Sequence, residues 1–307
     1  MFQGQASNTP GQMYIKINDS EIATYPNASD LTIPQWQAWT IDLPASALGN
    51  VKNLAIGING GTGMVLIDAI RLYAKASETI TPEAASDDDL LAYYPFEGNY
   101  NDASGSGLDG TPVDNPSLLS DPVRGQVLSL DGISACVDLG ASNAFNPAGS
   151  FSISVWANIT EFLNGWGHAI IGKRGENNLG WQLRRHSSTE NLTFTLRGTT
   201  GADDPQGTVS MVPFYGEWVH IAAVYDIEGG QRTVYVNGLV DVSIADTDPV
   251  AATDHNVYIG ARATTANDGA EAFFDGMIDE LKVYNRALSQ AEALGLAGRT
   301  EPIFKEF

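Results

Sequence analysis

The sequence predicts an all-β chain built from two blocks of unequal size. Short runs of alternating apolar and polar residues recur along the 307 residues, and this alternation has the period of a half-buried strand. Most runs end at Gly, Asn, Asp or Pro, and the 32 glycines and 14 prolines provide frequent turns. A recognisable helix start occurs only near the C-terminus. Many short strands separated by turns are typical of a β-sandwich.

The first block, residues 1–76, is predicted to be a smaller N-terminal β domain or half-domain. Its predicted strands are Met13–Ile17, Trp36–Leu43, Asn53–Ile58 and Val65–Tyr73. Four or five strands are fewer than the roughly seven of a stable sandwich, so the block is predicted to be incomplete. Residues 77–89 read SETITPEAASDDD, an acidic, proline-containing segment that we interpret as a linker.

The second block, residues 90–298, is predicted to form the larger sandwich, and residues 299–307 form a tail. Its predicted strands are Ala92–Glu97, Val127–Leu130, Cys136–Leu139, Phe151–Ile159, Ala169–Lys173, Trp181–His186, Leu192–Arg197, Trp218–Asp226, Thr233–Val236, Val257–Ile259 and Gly276–Tyr284. Asn237 and Gly238 both tolerate positive φ, so they predict a two-residue hairpin turn. Ser289 and Glu292 have the spacing of a capping box, which predicts one short C-terminal helix beginning at Ser289.

The composition excludes some functions. With 37 acidic and 16 basic residues, the formal net charge is -21, and nucleic-acid binding is not expected because phosphate contacts need basic stripes. Such acidity favours solubility, and it also allows carboxylates to surround Ca²⁺. The lone Cys136 excludes an intrachain disulfide and is predicted to be buried. The sequence contains no run of 18 apolar residues, so no membrane span is predicted, and residues 1–4 do not resemble the start of a signal peptide.

Five segments of the second block resemble, in order and spacing, the laminin-G-like (concanavalin A-like) jelly roll. They are LLAYYPFEGNYNDASGSGLDG, SFSISVWANI, GEWVHIAAVYD, TVYVNGLV and FFDGMIDELKVYNRALSQAE. The resemblance implies a sandwich that binds a polysaccharide or another glycan, in an extracellular or cell-surface protein.

The first block carries a second resemblance. Thr40–Tyr73 is similar to the C-terminal half of a galactose-binding-like carbohydrate-binding module, with Ile67–Leu72 as its last strand. On this interpretation the block is truncated, and its exposed strand edges would favour a homodimer.

The resemblance to laminin-G-like domains also implies a structural calcium ion that ties loops to the sandwich. Carboxylate and amide oxygens are the ligands that Ca²⁺ prefers, and the first and last strands of a jelly roll are often neighbours. The candidate ligands are Glu97, Asn99, Asp102, Asp109 and Asp279. The alternative is that Asp102, Ser104 and Asp109 only form Asx and ST turns. Asp68 is a weaker candidate in the first block.

Two consecutive strands predict a polar face that could contact a glycan. Alternation places one polar set on the same side of each strand, namely Gln182, Arg184 and His186 on the first and Thr193, Thr195 and Arg197 on the second. A turn at residues 187–191 would join them, with Leu183, Phe194 and Leu196 on the opposite side. Guanidinium and amide groups suit sugar hydroxyls or carboxylates. The alternative is an ordinary solvated sheet face.

Aromatic residues divide into two groups. Trp166 and Tyr215 lie in turn-rich segments, where exposed rings could stack on sugars. The alternative for Trp166 is a ring that anchors its loop on the sandwich. Trp156 and Trp218 lie within strands and are predicted to be core or near-core aromatics.

Enzymatic signals are weak, and the catalytic residues are unknown. Glycosidases need two carboxylates that flank the scissile bond, and no Glu-x-Asp-x-Glu strand occurs. A pair drawn from different strands, for instance from Asp203, Asp204 or Glu176, stays open. The histidines lack the spacing of metalloprotease ligands.

Three hypotheses follow. The first is a non-catalytic, calcium-stabilised carbohydrate-binding module of a modular secreted protein. The second is a sandwich glycoside hydrolase acting on a polysaccharide, and the third is an extracellular adhesion module that binds protein.

Overall fold

The computed structural model describes residues 2–37, 39, 41, 52–67, 70, 79–162, 168–174, 179–198 and 204–304. The chain divides into two compact units: Met1–Thr79 with Phe304–Phe307, and Ile80–Ile303. Residues 80–89, predicted to be a linker, lie in the second unit, where the backbone N–H of Glu83 donates to the carbonyl of Ala291 at 2.9 Å.

The first unit contains two small antiparallel sheets. Its strands are β1 (Phe2–Gln3), β2 (Gln12–Ile17), β3 (Ser20–Thr24), β4 (Trp36–Gln37), β5 (Leu54–Asn59) and β6 (Leu66–Ile67). The sheet orders are β4-β1-β6 and β3-β2-β5. Phe2, Met13, Tyr25 and Leu31 form the buried cluster, in which the rings of Phe2 and Tyr25 meet edge to face at 4.9 Å. A separate pair joins β7 (Thr79–Ile80) and the last strand, β24 (Ile303–Phe304).

The second unit is a β-sandwich with one short α-helix among its described residues, as predicted. Its strands are β8 (Leu90–Tyr94), β9 (Thr111–Val113), β10 (Ser117–Asp121), β11 (Gly125–Asp131), β12 (Cys136–Asp138), β13 (Phe151–Ile159), β14 (Ala169–Arg174), β15 (Gly180–Arg185), β16 (Leu192–Arg197), β17 (Trp218–Asp226), β18 (Gln231–Val236), β19 (Leu239–Ala245), β20 (Val257–Ile259), β21 (Arg262–Ala263), β22 (Ala270–Glu271) and β23 (Asp275–Tyr284). The helix is α1, Gln290–Leu296.

Two antiparallel sheets enclose the main core. The eight-stranded sheet runs β10-β11-β23-β13-β17-β18-β19, with β8 paired to the far half of β23, and the six-stranded sheet runs β16-β15-β14-β20-β12-β9. Alternate residues of both sheets point inward, so that Ile153 and Val155 of β13 face Trp181 and Phe194 of the other sheet within one buried cluster. The indole N–H of Trp181 donates to the carbonyl of Phe145 at 2.9 Å, which satisfies the one polar atom of this ring.

Local sequence signals agree with the structure in several places. Asn237 and Gly238 adopt φ of 50° and 76° in the turn that joins β18 to β19. Ser289 caps α1, its hydroxyl accepting from the backbone N–H of Glu292 in a complete capping box. Cys136 is fully buried and unpaired. Within the described chain, no helix is both long and apolar enough to cross a membrane.

Short strands were missed. Eight strands of two to five residues were not predicted, because so few residues carry little alternation: β1, β3, β7, β9, β10, β21, β22 and β24. Of the predicted strands Trp36–Leu43 and Val65–Tyr73, only the pieces β4 and β6 are strands in the described part, and much of the remainder lies outside it.

Candidate functional site

The outward side of β14, β15 and β16 carries a cluster of arginine side chains. Trp181, Leu183 and Phe194 face the core, so alternation turns their neighbours to the other side of the sheet. We call that side, together with the adjoining hairpin β21–β22, the arginine face. Its residues are Arg174, Gln182, Arg184, Thr193, Thr195, Arg197 and Arg262.

The register of β15 and β16 sets the spacing of the polar groups. Gln182 lies opposite Thr195, and Arg184 lies opposite Thr193. The turn through residues 187–191 joins the strands as the sequence predicts, and Ser187 adopts a positive φ of 50° there. Four of the predicted contact residues, Gln182, Arg184, Thr195 and Arg197, therefore lie together on one side of the sheet.

Arg184 is fixed by three partners. Its Nε donates to Thr195 Oγ1 at 3.1 Å, its Nη1 to the carbonyl of Arg185 at 2.8 Å, and its Nη2 to Asp204 Oδ2 at 2.9 Å. Arg197 Nη2 donates to the same oxygen of Asp204 at 2.8 Å. One carboxylate oxygen therefore serves two guanidinium groups, and the rotamer of Arg184 is held by β16 as well as by Asp204.

A second carboxylate serves the other half of the face. Arg262 donates from Nη1 to Gln182 Oε1 at 3.0 Å and from Nε to Glu271 Oε1 at 3.1 Å. Arg174 forms an ion pair with the same oxygen of Glu271. Gly172 leaves room for this arrangement, since a Cβ there would lie 3.2 Å from Arg262 Cβ and from Gln182 Cγ. Sequence reasoning missed Arg174, Arg262 and Glu271, because alternation within a strand does not show which other strands and hairpins lie beside it.

Burial makes this concentration of positive charge unfavourable. Desolvation lowers the pKa of Arg184, and the pKa of Arg262 falls to about 10 through desolvation and the nearby charge of Arg174. Thr193 is fully buried beside Arg184, and its Oγ1 has no hydrogen-bond partner among the described residues. A buried hydroxyl without a partner is uncommon in folded proteins.

The other predicted contact residues occupy different places. Tyr215 donates to the carboxylate of Glu190, which also pairs with Arg185 at 3.3 Å, and its ring meets Phe162 edge to face at 6.0 Å. Arg185 points to the opposite side of β15 from Arg184, so Tyr215 belongs to a separate cluster. His186 follows β15, and its ring Nδ1 is buried with no partner among the described residues. Trp166, Glu176, Asp203 and Asp68 lie outside the described residues.

The predicted calcium ligands divide into two groups. In the loop after β8, Asp102 accepts from the backbone N–H groups of Tyr93, Ser104 and Leu108, and Asp109 accepts from the N–H of Asp102 at 3.0 Å. The bond from Ser104 has the spacing of an Asx turn, whereas the other three join residues that are further apart in the chain. Glu97 accepts from the N–H of Gln126, and Asn99 from that of Asn101.

Asp279, the fifth predicted ligand, pairs with Arg124 at 3.0 Å. Across the described parts of the chain, no three His, Cys, Asp or Glu side chains are grouped so that they could hold a metal ion. Calcium binding stays a prediction.

The outward side of the eight-stranded sheet holds a second buried polar cluster. Ser154 Oγ and His220 Nε2 form a hydrogen bond of 2.9 Å, and burial lowers the pKa of His220 to about 3. A Ser–His pair is one ingredient of nucleophilic catalysis. Ser154 is 2% exposed and His220 0% exposed, however, so no substrate reaches this pair.

A groove of about 670 Å³ lies elsewhere on the second unit. Of the described residues that line it, Asp226 and Glu228 are the carboxylates, and Asp226 Oδ1 already accepts from the N–H of Gly229 at 2.9 Å. The remaining lining residues include the amides Asn143, Asn146 and Asn285. The groove shares no lining residue with the arginine face.

Solved structures show the same fold at low sequence identity. The binding domain of Paraclostridial Mosquitocidal Protein 1 is 16% identical, with a TM-score of 0.54, and the match covers 69% of this chain and 52% of that one. Domain 4 of AbnA, a GH43 extracellular arabinanase from Geobacillus stearothermophilus, is 22% identical, with a TM-score of 0.52 and 68% and 98% coverage. Botulinum neurotoxin type C is 17% identical, with a TM-score of 0.54 and 69% and 51% coverage.

This chain therefore spans about half of the length of the two toxin chains and nearly all of the arabinanase domain. No curated protein matches it by sequence. A family model described as the concanavalin A-like lectin/glucanases superfamily, of laminin-G type, matches residues 131–293. Because that match covers more than half of the 307 residues and lies within the sandwich, the chain belongs to the concanavalin A-like lectin/glucanase superfamily.

Proposed function

We propose that this protein is a non-catalytic carbohydrate-binding module whose glycan contacts the arginine face. The observation that carries the proposal is the set of guanidinium, amide and hydroxyl groups on β14, β15 and β16, oriented by bonds to the sheet itself. Two of the structural neighbours support it: domain 4 of AbnA was solved in complex with arabinotriose, and the cell entry of botulinum neurotoxin type C is described as dependent upon interaction with two ganglioside molecules.

The geometry of the face suits sugar recognition. Guanidinium and amide groups placed on strands lose little conformational freedom on binding, because Arg184 and Gln182 are already held by Thr195 and Arg262. Arg197 has 26% of its side chain exposed, so it is the arginine of the β15–β16 hairpin that a ligand meets first. Sugar hydroxyls accept and donate hydrogen bonds, and a fixed guanidinium fork selects among their arrangements.

The carboxylates of the face favour binding over hydrolysis. A glycosidase needs one carboxyl group that donates a proton and a second that attacks or activates water. Asp204 and Glu271 each pair with two arginines. These ion pairs favour the ionised form of each carboxylate, which has no proton to donate. The chemistry of this face is therefore recognition.

A panel of soluble polysaccharides tests the proposal. We expect the wild-type protein to be retarded in affinity electrophoresis by at least one glycan, and Arg197→Gln to lose most of that retardation. Glu228→Gln, a variant of the groove, is the matched control and should bind like the wild type. Failure to bind any glycan would contradict the proposal, and loss of binding in Glu228→Gln alone would move the site to the groove.

The second candidate function is a glycoside hydrolase, and the groove supports it because two carboxylates, Asp226 and Glu228, line the groove together. Newly released reducing ends, measured over a day with each polysaccharide, separate the two functions. We expect none. Release that disappears in Glu228→Gln would establish hydrolysis and overturn the non-catalytic assignment. The third candidate, an adhesion module, predicts no binding to free polysaccharides.

We further propose an extracellular location and a carbohydrate-binding ancestry for the first unit. The location is supported by the arabinanase neighbour, which is described as extracellular. The resemblance of Thr40–Tyr73 to galactose-binding-like modules supports the ancestry, and β5 and β6 lie within that segment. Secretion of a fusion of this chain from a bacterial host, assayed in the medium, tests the location.

A further inference from the structure

We propose that the glycan bound by the arginine face is acidic, with a carboxylate or a sulfate ester on its sugar rings. This inference rests on the proposed function, and it adds the charge of the ligand. Either substituent supplies an oxyanion held on a sugar ring.

Two arginines of the face share one carboxylate. Arg184 and Arg197 both donate to Oδ2 of Asp204, at 2.9 and 2.8 Å, so among the described residues one carboxylate serves two guanidinium groups here. Asp204 keeps 18% of its side chain exposed, and Arg184 only 6%. A buried guanidinium that shares its counter-ion is less stabilised than one with its own. An anion bound to the exposed side of Arg197 would relieve this imbalance.

A second pair of arginines on the face also shares a carboxylate. Arg262 is 15% exposed and shares Glu271 with Arg174, while its Nη1 donates to the neutral amide of Gln182. The depressed pKa of Arg262 has burial and the charge of Arg174 as its leading causes, and the charge of Arg184 adds to them. The chain as a whole carries a net charge of -21, so a face whose described residues include four arginines and two carboxylates differs from its overall composition.

The partly exposed arginines are the groups of the face that an oxyanion can reach. Arg197 has 26% of its side chain exposed, Arg262 15% and Arg174 13%. Arg184 and Thr193 are buried, so they support the face and do not contact the ligand. Charge-assisted bonds from a planar guanidinium fork suit a carboxylate or a sulfate.

The test compares ligands that differ in one substituent, which is charged in one member of each pair and neutral or absent in the other. Oligogalacturonate is paired with its methyl ester, and a sulfated galactan is paired with the same galactan after desulfation, each titrated calorimetrically. We expect one acidic member to bind at least about tenfold more tightly than its neutral partner, with affinity that falls as salt rises. The two pairs distinguish a carboxylate from a sulfate as the recognised group.

Variants locate the effect. Arg197→Gln should reduce affinity for the acidic ligand by about tenfold, and Arg197→Lys, which keeps the charge but not the fork, should lose less. Arg299→Gln removes the same charge from an exposed position away from the face and should bind like the wild type. Circular dichroism and melting temperature confirm that each variant is folded.

Three results would overturn the inference, and they are distinguishable. Equal affinity for the acidic and the neutral members of both pairs would remove the acidic ligand while leaving glycan binding intact. Absence of binding to every glycan, in a protein that is folded, would remove the proposed function as well. Equal loss in Arg197→Gln and Arg299→Gln would show a general charge effect and not a site.

Discussion

The guanidinium of Arg124 lies over the indole ring of Trp156, with 3.8 Å between Cζ and the ring centroid. Trp218 flanks the same guanidinium at 4.9 Å, and Arg124 Nη1 donates to Asp279 Oδ2 at 3.0 Å. The two tryptophans thus cover an ion pair on the outward side of the eight-stranded sheet. Such stacking stabilises a desolvated cation, by about 2 kcal/mol in favourable cases.

The first prediction concerns the pH dependence that Asp279 introduces. Burial raises the pKa of Asp279 to about 6, above the roughly 3.9 of an unfolded chain. Between these values the folded state binds more protons, so this group stabilises the fold at low pH, and that stabilisation is lost as pH rises through about 6. The free energy of unfolding of wild type minus that of Asp279→Asn should fall by about 1–3 kcal/mol from pH 4 to pH 7.

Urea denaturation monitored by tryptophan fluorescence measures this difference. Arg124→Met serves as the companion variant. Asp279 can take up a proton when its cation is gone, at a cost of about 1.4 kcal/mol at pH 7, and the stacking of Arg124 on the two tryptophans is lost as well. We therefore expect this variant to be destabilised by about 1–3 kcal/mol at pH 7. A difference between wild type and Asp279→Asn that does not change with pH would contradict the prediction.

The second prediction has the opposite sign and concerns His220. Its pKa is about 3 in the folded protein and about 6.5 in the unfolded chain, because the ring is buried and close to Arg124. Its neutral form stabilises the fold fully above pH 6.5, and this contribution is lost as pH falls, at about 1.4 kcal/mol per pH unit. His220→Gln, which can keep a hydrogen bond to Ser154, should lose less stability between pH 6.5 and pH 4.

Proton NMR gives an independent measurement. The ring resonances of His220 should not titrate between pH 5 and pH 8, whereas an exposed histidine would shift near pH 6.5. Titration of His220 within that range would refute the assignment of a neutral, buried ring.

Features set by neighbouring residues could be predicted from the sequence. Asn237 and Gly238 tolerate positive φ and therefore predicted the hairpin turn, and Ser289 with Glu292 predicted the start of the helix. Both signals act within four residues. Alternation in Trp181–Arg185 and Leu192–Arg197 also identified the polar side that became half of the arginine face.

Features set by strand order could not be predicted. Period-two alternation says which residues of a strand share a side, but it does not say that β14 lies between β15 and β20. The proximity of Arg174 and Arg262 to Arg184 therefore could not be predicted from the sequence. Trp156 shows the same limit. It is half-buried and lies outside the core cluster, in contact with Arg124 of the hairpin β10–β11. This contact could not be predicted, because β10 shows little alternation.

The third prediction addresses calcium. If the loop after β8 binds Ca²⁺ through Asp109, adding Ca²⁺ should raise the melting temperature, and the chelator EGTA should return it to the metal-free value. A free ion at 100 times its Kd would stabilise the folded state by about 2.7 kcal/mol. Asp109→Asn should lose this response, while Asp68→Asn should keep it. Identical melting temperatures in Ca²⁺ and EGTA would refute calcium binding.

The last prediction uses the close approach of α1 to the segment that precedes β8. A Cβ added at Gly295 would lie 1.9 Å from the carbonyl oxygen of Glu83, which is a backbone atom and cannot rotate away. In an isolated helix, Gly→Ala stabilises by up to about 1 kcal/mol, so helix propensity and packing predict opposite signs here. We expect packing to prevail and Gly295→Ala to destabilise the protein by about 1–3 kcal/mol in urea denaturation. Gly269→Ala is the matched control, because no atom lies within 4 Å of its added Cβ, and its effect should stay within about 0.5 kcal/mol. A Gly295→Ala protein as stable as the wild type would mean that α1 moves away from Glu83 without loss, and that the bond between Glu83 and Ala291 contributes little to the fold.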